Sequence, residues 1–230
     1  MSAFEFARKV GDVFVLPDTC LKIKEVIDNK ISNLDEIAEI ISLDPALASD
    51  QASGRVITSL FEGLMRWNEA GESVPGVAEA RPEISSDGLR YIFRLRESAR
   101  WSNGEPVTAH DFVASWERVL DPKTAADYVT LLHVIVNAKA YSEGKLADFT
   151  EVGVKAEDDR TLVVRLEHPA PYFTDLCAFT TYCPVHVRSL TAAGGSAWEP
   201  GRIVGNGAYR LAEWRLNYRL VLEKSPTYWD

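Results

Sequence analysis

Acid–base, metal and nucleophilic chemistry need histidine, cysteine, serine and carboxylate groups in particular combinations, so their spacing is read first. The chain carries four histidines, His110, His133, His168 and His186, and three cysteines, Cys20, Cys177 and Cys183. No two histidines stand at metal-ligand spacing, and neither HExxH nor CxxC occurs, so no metal set and no thiol redox motif is indicated. GxSxG and Walker-type loops are missing. Gly205-Asn206-Gly207 contains a GxG, but the residues after it pattern as a strand, and a phosphate cradle needs a helix N-terminus there. The adjacent carboxylates Asp158 and Asp159 fall in a turn pattern, where solvated side chains are expected rather than an acid/base pair. With no nucleophile, base and orienting group in evident combination, the sequence reads as a binder and not an enzyme, with no catalytic residue, metal or cofactor implied. Cys177 and Cys183 leave two readings open, a disulfide in an oxidising compartment or buried free thiols. The six tryptophans, Trp67, Trp101, Trp116, Trp198, Trp214 and Trp229, are spread along the chain and read chiefly as packing residues, with ligand stacking as the second reading.

The bulk properties narrow the partners. The formal net charge is -9 over 230 residues, which argues against a nucleic acid and against an anionic membrane surface, since both call for a basic face. No apolar run is long enough for membrane insertion. In the first 18 residues Glu5, Arg8, Lys9 and Asp12 interrupt the apolar residues, so no signal peptide is read and the chain as written is expected in the cytoplasm.

The elements that would position functional groups divide at about residue 50. Before it the pattern is helical. Asp18 can cap a helix to Asn29, and Asn33 with Glu36 resembles a capping box ahead of the stripe Leu34, Ile37, Ala38, Ile41. Asp44-Pro45 reads as an N-cap followed by proline at a first helical position. Beyond it, residues 54–66 form an amphipathic pattern with Val56, Ile57, Leu60, Phe61 and Leu64 on one face. Residues 91–96 alternate as a strand, 101–106 form a turn, and Thr108 with Asp111 opens a helix that buries Phe112, Val113, Trp116, Val119 and Leu120 before Asp121-Pro122 ends it. Hairpins are predicted at 152–166 and 209–222. The fold class is therefore α+β: a short all-α N-terminal segment, then a mixed α/β region with antiparallel hairpins instead of a βαβ series.

Several motifs in this second region are together specific: Leu43-Asp44-Pro45; Leu60-Phe61-Glu62-Gly63-Leu64; Pro75-Gly76-Val77-Ala78-Glu79; Phe93-Arg94-Leu95-Arg96; Trp101-Ser102-Asn103-Gly104-Glu105-Pro106-Val107-Thr108; Pro169-Ala170-Pro171-Tyr172-Phe173; Gly205-Asn206-Gly207-Ala208-Tyr209; and Ser225-Pro226-Thr227-Tyr228-Trp229. In order and spacing, residues 43–230 resemble the first lobe of the extracytoplasmic solute-binding proteins of ABC importers, the oligopeptide- and dipeptide-binding type. The resemblance implies a partial periplasmic-binding-protein lobe, and a peptide gripped between two lobes through strand-like backbone hydrogen bonds. Family chains are more than twice as long, so the second lobe is expected to be missing beyond Tyr228-Trp229-Asp230. The family's first strand, before Leu43, is replaced here by the helical segment.

That segment has a resemblance of its own. Val15-Leu16-Pro17-Asp18 and Asn33-Leu34-Asp35-Glu36-Ile37 through Leu47 resemble the start of an HDOD domain, an all-helical bacterial signalling module. The reading is a chimera, 1–49 HDOD-like and 43–230 solute-binding, joined inside 42–49, with an engineered origin favoured over natural recombination. By position in the family, Ser49, Asp50 and Gln51 fall in the segment lining the peptide cleft, Tyr128 where an aromatic meets the ligand, and Asn206 and Gly207 near the lobe crossover. The residues themselves leave other readings open: a helix cap for Ser49 and Asp50, core packing for Tyr128, a plain β-turn for Asn206-Gly207. The expected partner is an oligopeptide held weakly in a one-sided site, with self-association through the uncovered face. The alternatives are a fusion with no selected activity, or a signalling module acting through the HDOD-like helices.

Overall fold

The protein was analysed as a computed structural model that describes residues 42–194, 197–215 and 219–230. The helices expected at 18–29 and 33–41, and with them the HDOD-like segment, lie outside the described residues.

Described backbone begins at the Leu43-Asp44-Pro45 motif, and here the sequence expectation is corrected. Asp44-Pro45 opens a single turn and no helix: the N–H groups of Leu47 and Ala48 donate to the Asp44 carbonyl, at 3.1 and 3.0 Å. The Asp44 carboxylate accepts from the Ala46 N–H at 3.0 Å and from Arg118 Nη1 at 3.0 Å. An arginine reaching in from a later helix thus fixes the turn, while Leu43, Ala46 and Ala48 are buried around it. The helix follows at once as α1, Gln51–Leu60, earlier at both ends than the predicted 54–66. It stops at Leu60 because Phe61 turns extended (φ -131, ψ 147) and the chain enters a strand. Gly63 makes this exit possible, since a Cβ there would lie 2.6 Å from the Cys177 carbonyl oxygen. Phe61 and Leu64 remain buried, as the pattern required, but as part of an extended segment.

Strand β1 (Met65–Trp67) pairs antiparallel with β2 (Ser73–Pro75). The main sheet comprises β3 (Glu83–Ile84), β4 (Arg90–Arg94), β5 (Val154–Asp158) and β6 (Thr161–Arg165), ordered β3-β4-β6-β5 with every pairing antiparallel. The hairpin read at 152–166 is its β5–β6 pair. Helix α2 (Ala109–Leu120) packs on β5 and β6. Its start carries the expected capping box, with Asp111 Oδ2 accepting from the Thr108 N–H at 2.8 Å. Its buried face is Phe112, Trp116, Val119 and Leu120. Asp121, before Pro122, ends it at extended ψ.

Three short helices, α3 (Ala138–Ser142), α4 (Phe173–Leu176) and α5 (Val187–Ala193), and several 3₁₀ turns close the layer over the sheet. Trp101, Trp116, Phe93, Phe112, Phe173 and Tyr182 are fully buried at its centre. Trp116 meets Tyr182 edge to face at 5.1 Å and donates its indole N–H to the Tyr182 carbonyl at 3.0 Å. Aromatic rings that bury both their area and their polar tip are the packing role read for most tryptophans. Cys177 and Cys183 are buried free thiols; desolvation pushes Cys183 up to about 12 and Cys177 well above the ordinary thiol range. The last ribbon, β7 (Tyr209–Arg215) with β8 (Arg219–Lys224), is antiparallel, is bulged between Leu211 and Glu213, and packs against α1. Leu220 and Leu222 face the core as predicted; Leu216 and Tyr218 lie outside the described residues. The architecture is the mixed α/β partial lobe with antiparallel sheets that the sequence implied.

Candidate functional site

Helix α1 organises the candidate residues, and it divides them between its two ends. At its N-terminus Asp50 is extended (φ -98, ψ 161) and buried; its Oδ1 accepts from the Ser53 N–H at 2.8 Å and its Oδ2 from the Ser53 hydroxyl. Ser53 Oγ in turn accepts from the Ser42 N–H at 2.8 Å. Asp50 is therefore a working N-cap, one of the two readings its type allowed. Immediately before it, the Ser49 carbonyl accepts from the Tyr128 hydroxyl at 3.2 Å. Tyr128 is half-buried and meets Phe179 edge to face at 5.3 Å. Gln51 is exposed on the first turn of α1. Folding thus brings Ser49 and Tyr128 together across 79 residues of chain, two residues before the exposed Gln51.

Asn206 and Gly207 lie at the other end of α1, about 15 Å away along a ten-residue helix. Asn206 is 3% exposed, and both ends of its amide are engaged. Its Oδ1 accepts from the Glu62 N–H at 3.0 Å, and its Nδ2 donates to the Glu62 carbonyl at 2.9 Å. The Gly207 N–H donates to the Leu60 carbonyl at 2.9 Å. A Cβ on Gly207 would stand 2.5 Å from the Ser59 carbonyl oxygen. The plain β-turn reading of this pair is therefore corrected: the side chain of Asn206 imitates a strand partner for Glu62, and Gly207 lets the two backbones touch.

Glu62 is a residue that sequence reasoning passed over inside the Leu60–Leu64 motif. It is 8% exposed and accepts from the Tyr228 hydroxyl. Arg66 Nε lies 3.8 Å from its Oε1, which has no hydrogen-bond partner among the described residues. Burial pushes the Glu62 carboxyl above its ordinary range, against the lowering effects of Tyr228 and Arg66. Arg66 also holds Asp230 at 3.0 Å. The Arg96 guanidinium sits 4.0 Å over the Trp229 ring, and that of Arg66 5.5 Å from it. A charged residue inside an otherwise apolar motif was the available signal.

Ser189, His186 and Glu105, which no spacing displayed together, also meet in the fold through hydrogen bonds to the His186 ring. The two elements that carry them are 81 residues apart in sequence. Among the described residues no group of three or more His, Cys, Asp and Glu side chains is arranged to hold a metal ion, and no helix is long and apolar enough to cross a membrane.

Residues 72–230 match the bacterial extracellular solute-binding proteins, family 5. The chain is 41% identical over 201 residues to the oligopeptide-binding protein OppA of Bacillus subtilis, covering 86% of this chain and 36% of that protein. It is 44% identical over 192 residues to the probable deoxycholate-binding periplasmic protein YgiS of Escherichia coli, covering 82% and 35% respectively. Among solved structures, Listeria monocytogenes OppA bound to peptide superposes with a TM-score of 0.78 at 38% identity, over 82% of this chain and 37% of that one. The chain thus spans little more than a third of the length of the relatives it matches.

Proposed function

We propose, since this chain belongs to the bacterial extracellular solute-binding proteins of family 5, that it supplies one wall of an oligopeptide-binding cleft in the receptor of an ABC importer, working outside the cytoplasmic membrane. The observation that carries the reading is the Tyr128 hydroxyl seated on the Ser49 carbonyl beside the exposed Gln51. It sets an extended backbone step and an aromatic ring side by side, which suits recognition of a peptide main chain by strand-like hydrogen bonding. In this reading Ser49, Gln51 and Tyr128 meet the ligand, while Asp50, Asn206 and Gly207 hold the wall in place. Oligopeptide-binding relatives and a peptide-bound structural neighbour support it.

A wall alone leaves a ligand solvated on its far side, whereas tight sites bury most of their ligand. The 230 residues by themselves are therefore expected to bind tri- and tetrapeptides at about millimolar strength or weaker, roughly 4 kcal/mol. Titration calorimetry with a mixed peptide library, and with deoxycholate as the competing ligand class, tests this. Micromolar peptide affinity would overturn the one-sided site, and heat from deoxycholate alone would overturn the peptide reading. Light scattering completes the test: a monomer that binds peptide supports the receptor wall, and a peptide-blind oligomer supports self-association.

A second reading concerns origin. It takes two ancestors, an HDOD-like 1–49 and a solute-binding 43–230 joined within 42–49, on the strength of the sequence motifs alone. A single natural reading frame in which both parts sit inside one family's full-length protein would exclude it.

A further inference from the structure

We propose that the hollow between the start of β7 and the Ser225–Asp230 segment binds a small zwitterion, an α-amino acid with an apolar side chain, at a site separate from the peptide wall. The hollow has room for about 190 Å³ and is lined by Ala208, Tyr209, Lys224, Ser225, Tyr228 and Asp230. That exceeds the cavity of about 150 Å³ that takes up benzene. The β7–β8 ribbon builds one side of it. Tyr209 stands opposite Lys224 in the register, and beyond them the Ser225 N–H donates to the Ala208 carbonyl at 2.8 Å. Residues paired across two strands share a face, so the Tyr209 phenol and the Lys224 ammonium are neighbours. Among the described residues neither the Tyr209 hydroxyl nor the Lys224 ammonium has a hydrogen-bond or ion-pair partner. Both are donors, and together they suit a carboxylate.

Asp230 supplies the opposite charge in the same hollow. Its Oδ2 is held by Arg66 Nη2 at 3.0 Å, which leaves Oδ1 to accept from a ligand. The segment that carries it is tied at three successive residues: the Tyr228 hydroxyl donates to the Glu62 carboxylate, the Arg96 guanidinium sits 4.0 Å over the Trp229 ring, and Arg66 holds Asp230. Lys224 and Asp230 thus line one hollow with opposite charges and do not pair with each other. A ligand with a carboxylate and an ammonium a few bonds apart answers both. A plain anion would meet Asp230 unanswered, and a plain cation would meet Lys224, so each is disfavoured. With its hydroxyl committed to Glu62, Tyr228 offers the hollow its ring, and Ala208 offers a methyl group. These are the surfaces for an apolar side chain.

The competing account is a surface hollow that holds only water. Amide NMR titration of the whole chain with L-leucine, with isocaproate (no ammonium) and with isoamylamine (no carboxylate) separates the two. The expected result is a saturable shift with leucine at residues 208–209 and 224–230, and binding at least about 10-fold weaker for each single-charge analogue. Lys224→Met and Asp230→Asn are each expected to weaken leucine by at least about 10-fold, and Tyr209→Phe by about 3-fold. All three side chains are exposed, so these variants are expected to fold as the parent does. No saturable shift, saturable shifts confined to residues 49–51 and 128, or equal binding of either analogue overturns the proposal. Tyr128→Phe is expected to leave leucine binding unchanged; a loss there would put leucine on the peptide wall and overturn the separate site. The proposal does not rest on the peptide wall, so its failure leaves the receptor reading standing.

Discussion

The two ends of α1 are built differently. At the C-terminal end, the Leu60 carbonyl and the Glu62 N–H and carbonyl all bond to residues near 206, and Gly205 and Gly207 have no space for a Cβ. At the N-terminal end the contacts include a local cap from Asp50, the Ser42 N–H on Ser53 Oγ and the Tyr128 phenol on the Ser49 carbonyl, and Gln51 stands in solvent. The first end is a long-range clamp on the backbone of residues 60–62. In the proposed reading the N-terminal end, with the exposed Gln51, is the one that meets the peptide, and the C-terminal end fixes α1 in place.

The largest test of that contrast is Gly207→Ala. Its Cβ would overlap backbone atoms that cannot step aside, so a loss of about 3 kcal/mol is expected. Scanning calorimetry should register this as a markedly lower Tm, and a wild-type Tm would show that the clamp is soft. Asn206→Ala leaves the Glu62 N–H and carbonyl buried without partners, and urea unfolding should fall by about 2 kcal/mol. At the open end, Asp50→Ala removes one cap, with an expected loss of about 1 kcal/mol; a cost exceeding that of Asn206→Ala would invert the comparison. Tyr128→Phe removes the hydroxyl with little change of packing, so stability should drop by about 0.5 kcal/mol, while peptide heats in calorimetry fall for every ligand of the library.

The pH test concerns Glu62. Its folded pKa is raised above the model-compound value of 4.5 by burial, so the folded chain holds that proton more tightly than the unfolded one. The stabilisation is complete below 4.5 and is lost as pH rises through the folded pKa. Glu62→Gln should flatten this decline in urea midpoints measured from acid to neutral pH. An unchanged slope would place the titration elsewhere.

Much of the scaffold was legible because its signals are local. The Thr108–Asp111 capping box, the stripe from Phe112 to Leu120 and the Asp121-Pro122 stop lie within or at the ends of one helix, and Leu162 and Val164 lie within one strand, although Val163 between them is buried as well and Leu166 falls just outside it. The boundaries of α1 were misread because Phe61 and Leu64 continue a helical spacing after the backbone has left the helix. What ends it is contact with Cys177 and with residues 205–207, which periodicity does not register. Asp44-Pro45 was misread for the same reason, since Arg118 holds its carboxylate. In the candidate site the cap of Asp50 was legible from its type, but the meeting of Tyr128 with Ser49, and of Asn206 with Glu62, was not.

By itself the sequence determined the fold class, the order of elements and the family likeness, because hydrophobic period, caps and turn residues act over a few positions. Only the tertiary structure decided which polar groups meet: Tyr128 with Ser49, Asn206 with Glu62, Ser189 and His186 with Glu105. A buried polar group takes whatever partner folding delivers to it, and that partner stands tens of residues away with no periodicity to announce it.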